Sequence, residues 1–339
     1  MTRPLVVLQS FPTPRPTTNP YLVLLAASIT AQPGARLRTF SWRRALLSRY
    51  DVFHVHWPEI LVSGHSPLKK AVRQLLFVLL LLRLRLLRTP LVRTLHNLHL
   101  PEGISRREVV LLRLAERWTT LWVKLNATTP APPGTSSVTI VHGHYRDWFL
   151  RHPEPAPQPG HLAFVGLVRR YKGVTGLLDA FAETATGQPG WTLRVAGRPS
   201  TDELAAELHE AAAADPRVSL HLEFLDDAEL VQEIGRAELV VLPYREMHNS
   251  GGALAALSLD RPVLVPDNEV NRLLADEVGP GWVFRYDGPL TGEDLVAAVT
   301  ARRAGGAAAR PDLSAREWSA AGRAHLDAYR TARAARSRR

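Results

Sequence analysis

The sequence predicts an α/β protein of two domains, each an open parallel sheet with helices on both faces. Three observations carry this. The chain has 339 residues, more than one core usually spans. Two blocks alternate short buried-strand patterns with helical ones, the signature of parallel sheets. Between them lies RHPEPAPQPG, residues 151–160, with four prolines in ten positions, which reads as a linker.

In the first block, residues 4–11, 51–57, 90–96, 124–129 and 137–143 read as strands. Each is short, rich in Val, Leu, Ile or Thr, and closed by polar or turn residues. Helical patterns fall between them, chiefly at 68–88 and 105–122. In the second block the strands are 161–166, 191–197, 218–224, 238–244 and 262–266, with helices near 173–186, 202–214, 226–236 and 250–259. A last helix near 314–332 follows, and then an arginine-rich tail. The expected division is 1–150, 151–313 and 314–339. Two such domains leave a cleft between the carboxyl ends of their sheets, where ligands of open α/β folds bind.

Composition narrows the function. Cysteine is absent, which excludes disulfide and thiolate chemistry and fits a reducing compartment. The start, MTRPLVVLQSF, reads as a first strand, too short for a signal peptide. No apolar run reaches the roughly 18 residues of a membrane span. The net charge is +10 and unevenly placed. Between Glu59 and Glu102 there is no acidic residue, yet Lys69, Lys70, Arg73, Arg83, Arg85, Arg88 and Arg93 surround the run LLFVLLLL. Two readings are open: a buried helix with a solvated basic face, or a helix lying on an anionic membrane surface within 68–93. Nucleic acid is disfavoured, because the window has one aromatic residue, Phe77, and no recognition motif.

The chemistry gathers at strand ends. LPYREMHNSGGALAALS ends a strand and opens a helix at Asn249 or Ser250, either a good N-cap. Gly251 and Gly252 let a ligand approach the backbone, and the free N–H groups favour a phosphate. FVGLVRRYKGV places Arg169, Arg170 and Lys172 just after another strand, and VAGRP adds Arg198 after a third. Arginine holds a diphosphate bidentately and lysine adds a point charge. Together they point to a nucleotide diphosphate bound by cations and amides, with no metal required. There is no GxxxxGKS/T loop and no GxGxxG after the first strand, which speaks against an ATPase or a dinucleotide enzyme. The first block offers His54, His56 and Glu59, then His96, Asn97, His99 and Glu102, then His142, His144 and Asp147. HxxxH and HExxH patterns are absent, so proton transfer, sugar hydrogen bonding and core packing are preferred over metal.

Several strings carry a resemblance. TNPYL (18–22), LLSRYDVFHVHWPE (46–59), VRTLHN (92–97), NATTP (126–130), HGHYRDWF (142–149), VRRYKGV (168–174), VLPYREMHNSG (241–251) and DEVGPGWVF (276–284) resemble the xanthan-type glycolipid 4-β-mannosyltransferases, within the GT-B glycosyltransferases. The likeness runs from about residue 4 to 320. It implies two Rossmann-like domains and inverting transfer of mannose from GDP-mannose to a polyprenyl-diphosphate-linked oligosaccharide in exopolysaccharide synthesis. It also implies a peripheral place on the cytoplasmic face of the inner membrane.

Retaining members of the class carry two glutamates where this chain has Met247 and Ala255, and a Gly-Arg where it has Gly166 and Leu167. These departures favour inversion, and Arg169 stands in for the missing arginine. On this reading the donor diphosphate or sugar meets Tyr244, Arg245, Asn249, Ser250 and Gly251, and Arg169 and Lys172 neutralise the leaving group. His144 lies near the donor. Glu59 is the expected base and His96 the next candidate, for base or donor contact. Asp147 is expected to cap the helix after it. The rivals are a retaining GT-B enzyme with another nucleotide sugar and a non-catalytic membrane-associated protein on a decayed transferase scaffold.

Overall fold

The computed structural model describes every residue except 1, 2, 16, 98, 99, 102, 246, 307, 338 and 339. His99 and Glu102 therefore lie outside the described residues. The chain divides into two compact units, Met1–Gly143 with Arg316–Arg339, and His144–Ala315.

Unit 1 contains β1 (Leu5–Gln9), α1 (Pro20–Thr30), β2 (Ala35–Arg38), α2 (Trp42–Leu47), β3 (Val52–Val55), α3 (Glu59–Val62), α4 (Pro67–Leu86), β4 (Leu91–Leu95), α5 (Arg106–Trp118), β5 (Thr119–Lys124) and β6 (Ser137–Thr139). The strands form one sheet in the order β2-β1-β3-β4-β5-β6, and every pairing is parallel. Strand periodicity places alternate residues on opposite faces. Val7 and Val52 join a core with Leu25 and Ile29 of α1. Leu8, Phe53 and Val55 join a second core with Phe77, Leu80 and Leu84 of α4. Both faces are covered, so the strands read as continuous apolar runs.

Unit 2 opens with α6 (Arg146–Phe149) and continues β7 (His161–Val165), α7 (Val174–Glu183), β8 (Thr192–Ala196), α8 (Asp202–Ala213), β9 (Val218–His221), α9 (Asp227–Arg236), β10 (Leu239–Val241), α10 (Gly251–Ser258), β11 (Val263–Pro266), α11 (Glu269–Val278), β12 (Val283–Tyr286) and α12 (Gly292–Arg303). Its sheet order is β12-β11-β10-β7-β8-β9, again all parallel. The order reverses between β7 and β10, and in unit 1 between β1 and β3. Open α/β sheets bind ligands at such switch points.

The structure departs from the sequence reading in several places. The chain enters unit 2 at His144, not after residue 150. Tyr145 and Phe149 are buried, the Tyr145 N–H donates to Ser258 Oγ at 2.8 Å, and Arg146 pairs with Asp260 at 3.1 Å. The proline-rich stretch is strapped to unit 2 through Arg261, which meets Glu154 at 2.9 Å and the Pro155 carbonyl at 3.0 Å. The last helix, α13 (Trp318–Ser337), belongs to unit 1, where Leu326, Tyr329 and Ala332 join the α1 core. The helix expected to reach residue 122 stops at Trp118, and β5 occupies 119–124 rather than 124–129. Thr119, Thr120, Trp122 and Val123 suit a pleated strand better than a helix. β2 and β12 went unread because ARLR and VFRY, at the sheet edges, carry arginine in short runs. Asp147 sits in the first turn of α6, and Tyr145 occupies the N-cap with no side-chain bond.

Candidate functional site

In unit 2, the two loops at the β7/β10 switch point converge. After β7 the chain turns through Gly166 and rises into a 3-10 turn, Arg170–Lys172, closed by Gly173 at φ 67°. A Cβ at Gly173 would strike the Pro243 carbonyl, so glycine is required where this loop crosses the chain leaving β10. The Arg245 N–H then donates to the Tyr171 carbonyl at 2.9 Å. Lys172 Nζ lies 5.0 Å from the Tyr244 ring centroid and 5.9 Å from that of Phe164. Burial first, and the charge of Arg169 second, bring the Lys172 pKa down to about 8. An anion held here would oppose both effects by favouring the charged ammonium.

The Tyr244 hydroxyl bonds Ser250, and burial pushes its pKa up. Ser250 is the N-cap of α10, its Oγ accepting from the Ala253 N–H at 3.1 Å. Gly251 and Gly252 follow as the first helical residues. Tyr244, Lys172, Ser250 and Gly251 thus stand together at the start of α10, whose first backbone N–H groups have no partner within the helix. Arg169 and Arg245 are exposed beside them. Arg198 is also exposed, and its carbonyl accepts from the Val168 N–H at 3.0 Å, which ties the loop after β8 to the loop after β7. Arg170 is committed elsewhere, in an exposed pair with Glu207 at 2.6 Å. Asn249 precedes the cap and is half-buried. His144 is buried, and its Nδ1 accepts from the Arg146 N–H at 3.3 Å. Its neighbour Tyr145, which the sequence did not single out, comes closer: a Cβ at Gly251 would lie 3.5 Å from the Tyr145 hydroxyl.

In unit 1, the carboxyl ends of β1, β3 and β4 form a second cluster. Glu59 opens α3 directly after His56, Trp57 and Pro58. Glu59 and His96 line one small pocket with Trp57, Arg93 and Asn97. Burial raises the Glu59 pKa, opposed by a backbone hydrogen bond and then by Arg93. A carboxylate so placed holds a proton more readily than one in water, as a base must after accepting one. His96 stacks on Trp57 with centroids 4.0 Å apart and planes at 19°. Burial keeps its imidazole neutral, and nearby His56 reinforces this. The sequence brought out both residues but not Gln9, Trp57 and Tyr329, which hold the cluster. Trp57, the aromatic ending HVHW, was the available signal. Among the described residues no group of three or more His, Cys, Asp or Glu side chains is arranged to hold a metal ion.

Helix α4 presents a separate feature. Leu68, Val72, Leu75, Leu79, Leu82 and Leu86 recur at alternating steps of four and three and are all exposed. The seven cations around it divide. Arg93 is buried in β4, Lys70 meets buried Glu108 at 2.5 Å, and Arg83 donates to the Leu46 and Ser48 carbonyls. Arg73 donates to the Ser63 carbonyl at 2.7 Å. Lys69, Arg85 and Arg88 remain exposed beside the leucines. Among the described residues, no helix is long and apolar enough to cross a membrane.

Known proteins place this architecture. The profile of the glycosyl transferases group 1 family matches residues 159–300, within unit 2. Among solved structures, the Anabaena protein HepE in complex with UDP superposes with a TM-score of 0.58, 16% identity, and coverage of 96% of this chain and 95% of that one. Starch synthase IV from Arabidopsis thaliana, bound to ADP and acarbose, gives 0.69 at 10% identity, covering 98% and 100%. These distant likenesses establish the GT-B fold. A curated protein of Xanthomonas campestris pv. campestris, GDP-mannose:glycolipid 4-beta-D-mannosyltransferase, is 45% identical over 328 residues, 96% of this chain and 92% of its own. A second protein of that name, from strain ATCC 33913 of the same pathovar, is 44% identical over 328 residues. The chain is a glycosyltransferase and belongs to the GDP-mannose:glycolipid 4-β-D-mannosyltransferase family.

Proposed function

We propose that this protein transfers mannose from GDP-mannose to a polyprenyl-diphosphate-linked oligosaccharide, with inversion and without a metal. The observation that carries the reading is the 45% identity across 96% of the chain to a relative named for this donor and a glycolipid. The local chemistry supports it. Lys172 and Arg169 stand where charge develops on the departing diphosphate, and the α10 amides supply fixed dipoles. Tyr244, Arg245, Asn249, Ser250 and Gly251 bind the diphosphate or the sugar, and Arg198 adds positive charge. His144 is assigned to supporting that binding through the turn it buries before Tyr145. Glu59 takes the proton of the acceptor hydroxyl, and His96 orients that hydroxyl or shares the proton.

The α4 stripe fits the surface of an anionic membrane, where a lipid-linked acceptor resides. A second copy of the same helix fits less well, because the residues flanking the stripe are basic and none is acidic. Half-burying each leucine contributes about 1 kcal/mol. Each cation near the surface adds about 1 kcal/mol, with three exposed rather than the full seven. The location proposed is the cytoplasmic face of the inner membrane, where the protein binds peripherally.

A donor panel tests the assignment. Nucleotide release is measured in mild detergent and EDTA from GDP-mannose, GDP-glucose, UDP-glucose, UDP-glucuronate and UDP-galactose, with a lipid-extract acceptor fraction. Release of GDP from GDP-mannose alone is expected. Release from a UDP sugar would leave the fold intact and remove the mannosyl assignment.

A further inference from the structure

The strand-end histidines of unit 1 form a connected, buried chain of hydrogen bonds. His96 Nε2 meets His56 Nδ1 at 3.2 Å, and His56 Nε2 meets Gln9 Oε1 at 3.0 Å. Gln9 Nε2 donates to the Tyr329 hydroxyl at 3.2 Å. That hydroxyl meets His54 Nδ1 at 2.7 Å, and His54 Nε2 meets Thr94 Oγ1 at 2.8 Å. Gln9, His54, His56, Thr94 and Tyr329 are all buried. A neutral imidazole has one N–H and one acceptor nitrogen, so each bond fixes the next. Burial keeps these rings neutral, with His56 held at about 3, and keeps the Tyr329 hydroxyl protonated.

The proton order follows from the amide of Gln9. Its oxygen accepts, so His56 carries its proton on Nε2. His56 Nδ1 is then the acceptor, and it takes the proton of His96 Nε2. At the other end the Gln9 amide donates to Tyr329, whose own proton goes to His54 Nδ1, and His54 Nε2–H goes to Thr94. We propose that Gln9 and Tyr329, acting through His56, hold the proton of His96 on Nε2 and so keep Nδ1 of this pocket-lining residue unprotonated, an acceptor by charge state. Tyr329 comes from α13, at the far end of the sequence, so the last helix sets the chemistry of a residue in the TLHN turn. Gln9, His56 and Tyr329 are positioning residues, and their importance for turnover rests on the proposed role of His96 toward the acceptor hydroxyl. The chain runs in the opposite sense only with the Gln9 amide turned over, which would leave the His96 proton on Nδ1.

The test is nitrogen-15 NMR of the full-length protein labelled at histidine, with His96 assigned by the resonances lost in His96→Gln. The expected wild-type spectrum has His96 Nε2 in the protonated range and Nδ1 in the imine range. Gln9→Glu keeps an acceptor for His56 and is expected to preserve that pattern. Tyr329→Phe and Gln9→Leu release the order, and His96 then shows both tautomers. In these two variants kcat falls about tenfold with the donor KM unchanged, and Gln9→Glu restores it. A role confined to packing would lower Tm and leave the tautomer as it was. A wild-type His96 protonated on Nδ1, or a single Nε2–H tautomer surviving in both Tyr329→Phe and Gln9→Leu, would overturn the inference. The spectra read the proton directly, so they stand or fall separately from the donor panel.

Discussion

Replacing Gly251 by alanine separates a ligand-binding turn from an ordinary helix start. The added Cβ lies 3.5 Å from the Tyr145 hydroxyl, ordinary van der Waals contact, and Gly251 has no positive φ. Alanine is the better helix former, so the fold should gain about 0.5 kcal/mol, or roughly 1–2 °C in the Tm of this unit. A diphosphate resting on the α10 amides would meet the new methyl group. Losing one hydrogen bond to a charged oxygen costs about 1.5–3 kcal/mol, which is roughly a ten- to hundredfold weaker Kd. Calorimetric titration with GDP-mannose and a thermal melt of Gly251→Ala measure both quantities. An unchanged Kd at unchanged Tm would refute the placement of the diphosphate. A fall of several degrees in Tm would refute the packing argument.

Other consequences are open to measurement. Lys172, with its pKa at about 8 in the free protein, is charged below that pH and loses charge above it. Donor affinity should therefore fall up to about tenfold between pH 8 and 9, and Lys172→Arg should abolish that loss because guanidinium keeps its proton; titrations at both pH values decide it. Glu59→Gln should lower kcat by about 10² to 10⁴ while GDP-mannose Kd stays put; a kcat within threefold of wild type would move the base elsewhere. Leu75→Glu combined with Leu82→Glu should abolish sedimentation with phosphatidylglycerol vesicles and leave Tm within a degree or two, since both side chains are exposed; retained binding would remove α4 from the membrane surface.

Much of the fold was legible because the core strands are buried on both faces and read as unbroken apolar runs, as in LVVL and VVL. The edge strands β2 and β12 were not, since their arginines break that run. Gly251 and Lys172 announced themselves by position, after a strand and beside glycine. Tyr145 did not, because its approach to Gly251 arises from a chain crossing that follows 106 residues of separation in sequence. The histidine chain was half legible. HVHW and TLHN put three histidines at strand ends, but what binds them comes from Gln9 and Tyr329, 320 residues apart in the sequence, a separation no local pattern reports. The basic window misled by count, because charge in a sequence does not say that Arg93 is buried or that Lys70 is paired with buried Glu108.

The most direct measurement is the configuration of the new glycosidic bond. GDP-mannose labelled with carbon-13 at C1 is incubated with the protein and the lipid-linked acceptor in EDTA, and the one-bond carbon–hydrogen coupling at C1 of the product is read by NMR. The account predicts a β-mannoside, formed by a single displacement at the donor's α-linked carbon. An α-mannoside, or no mannose in the product, would contradict it.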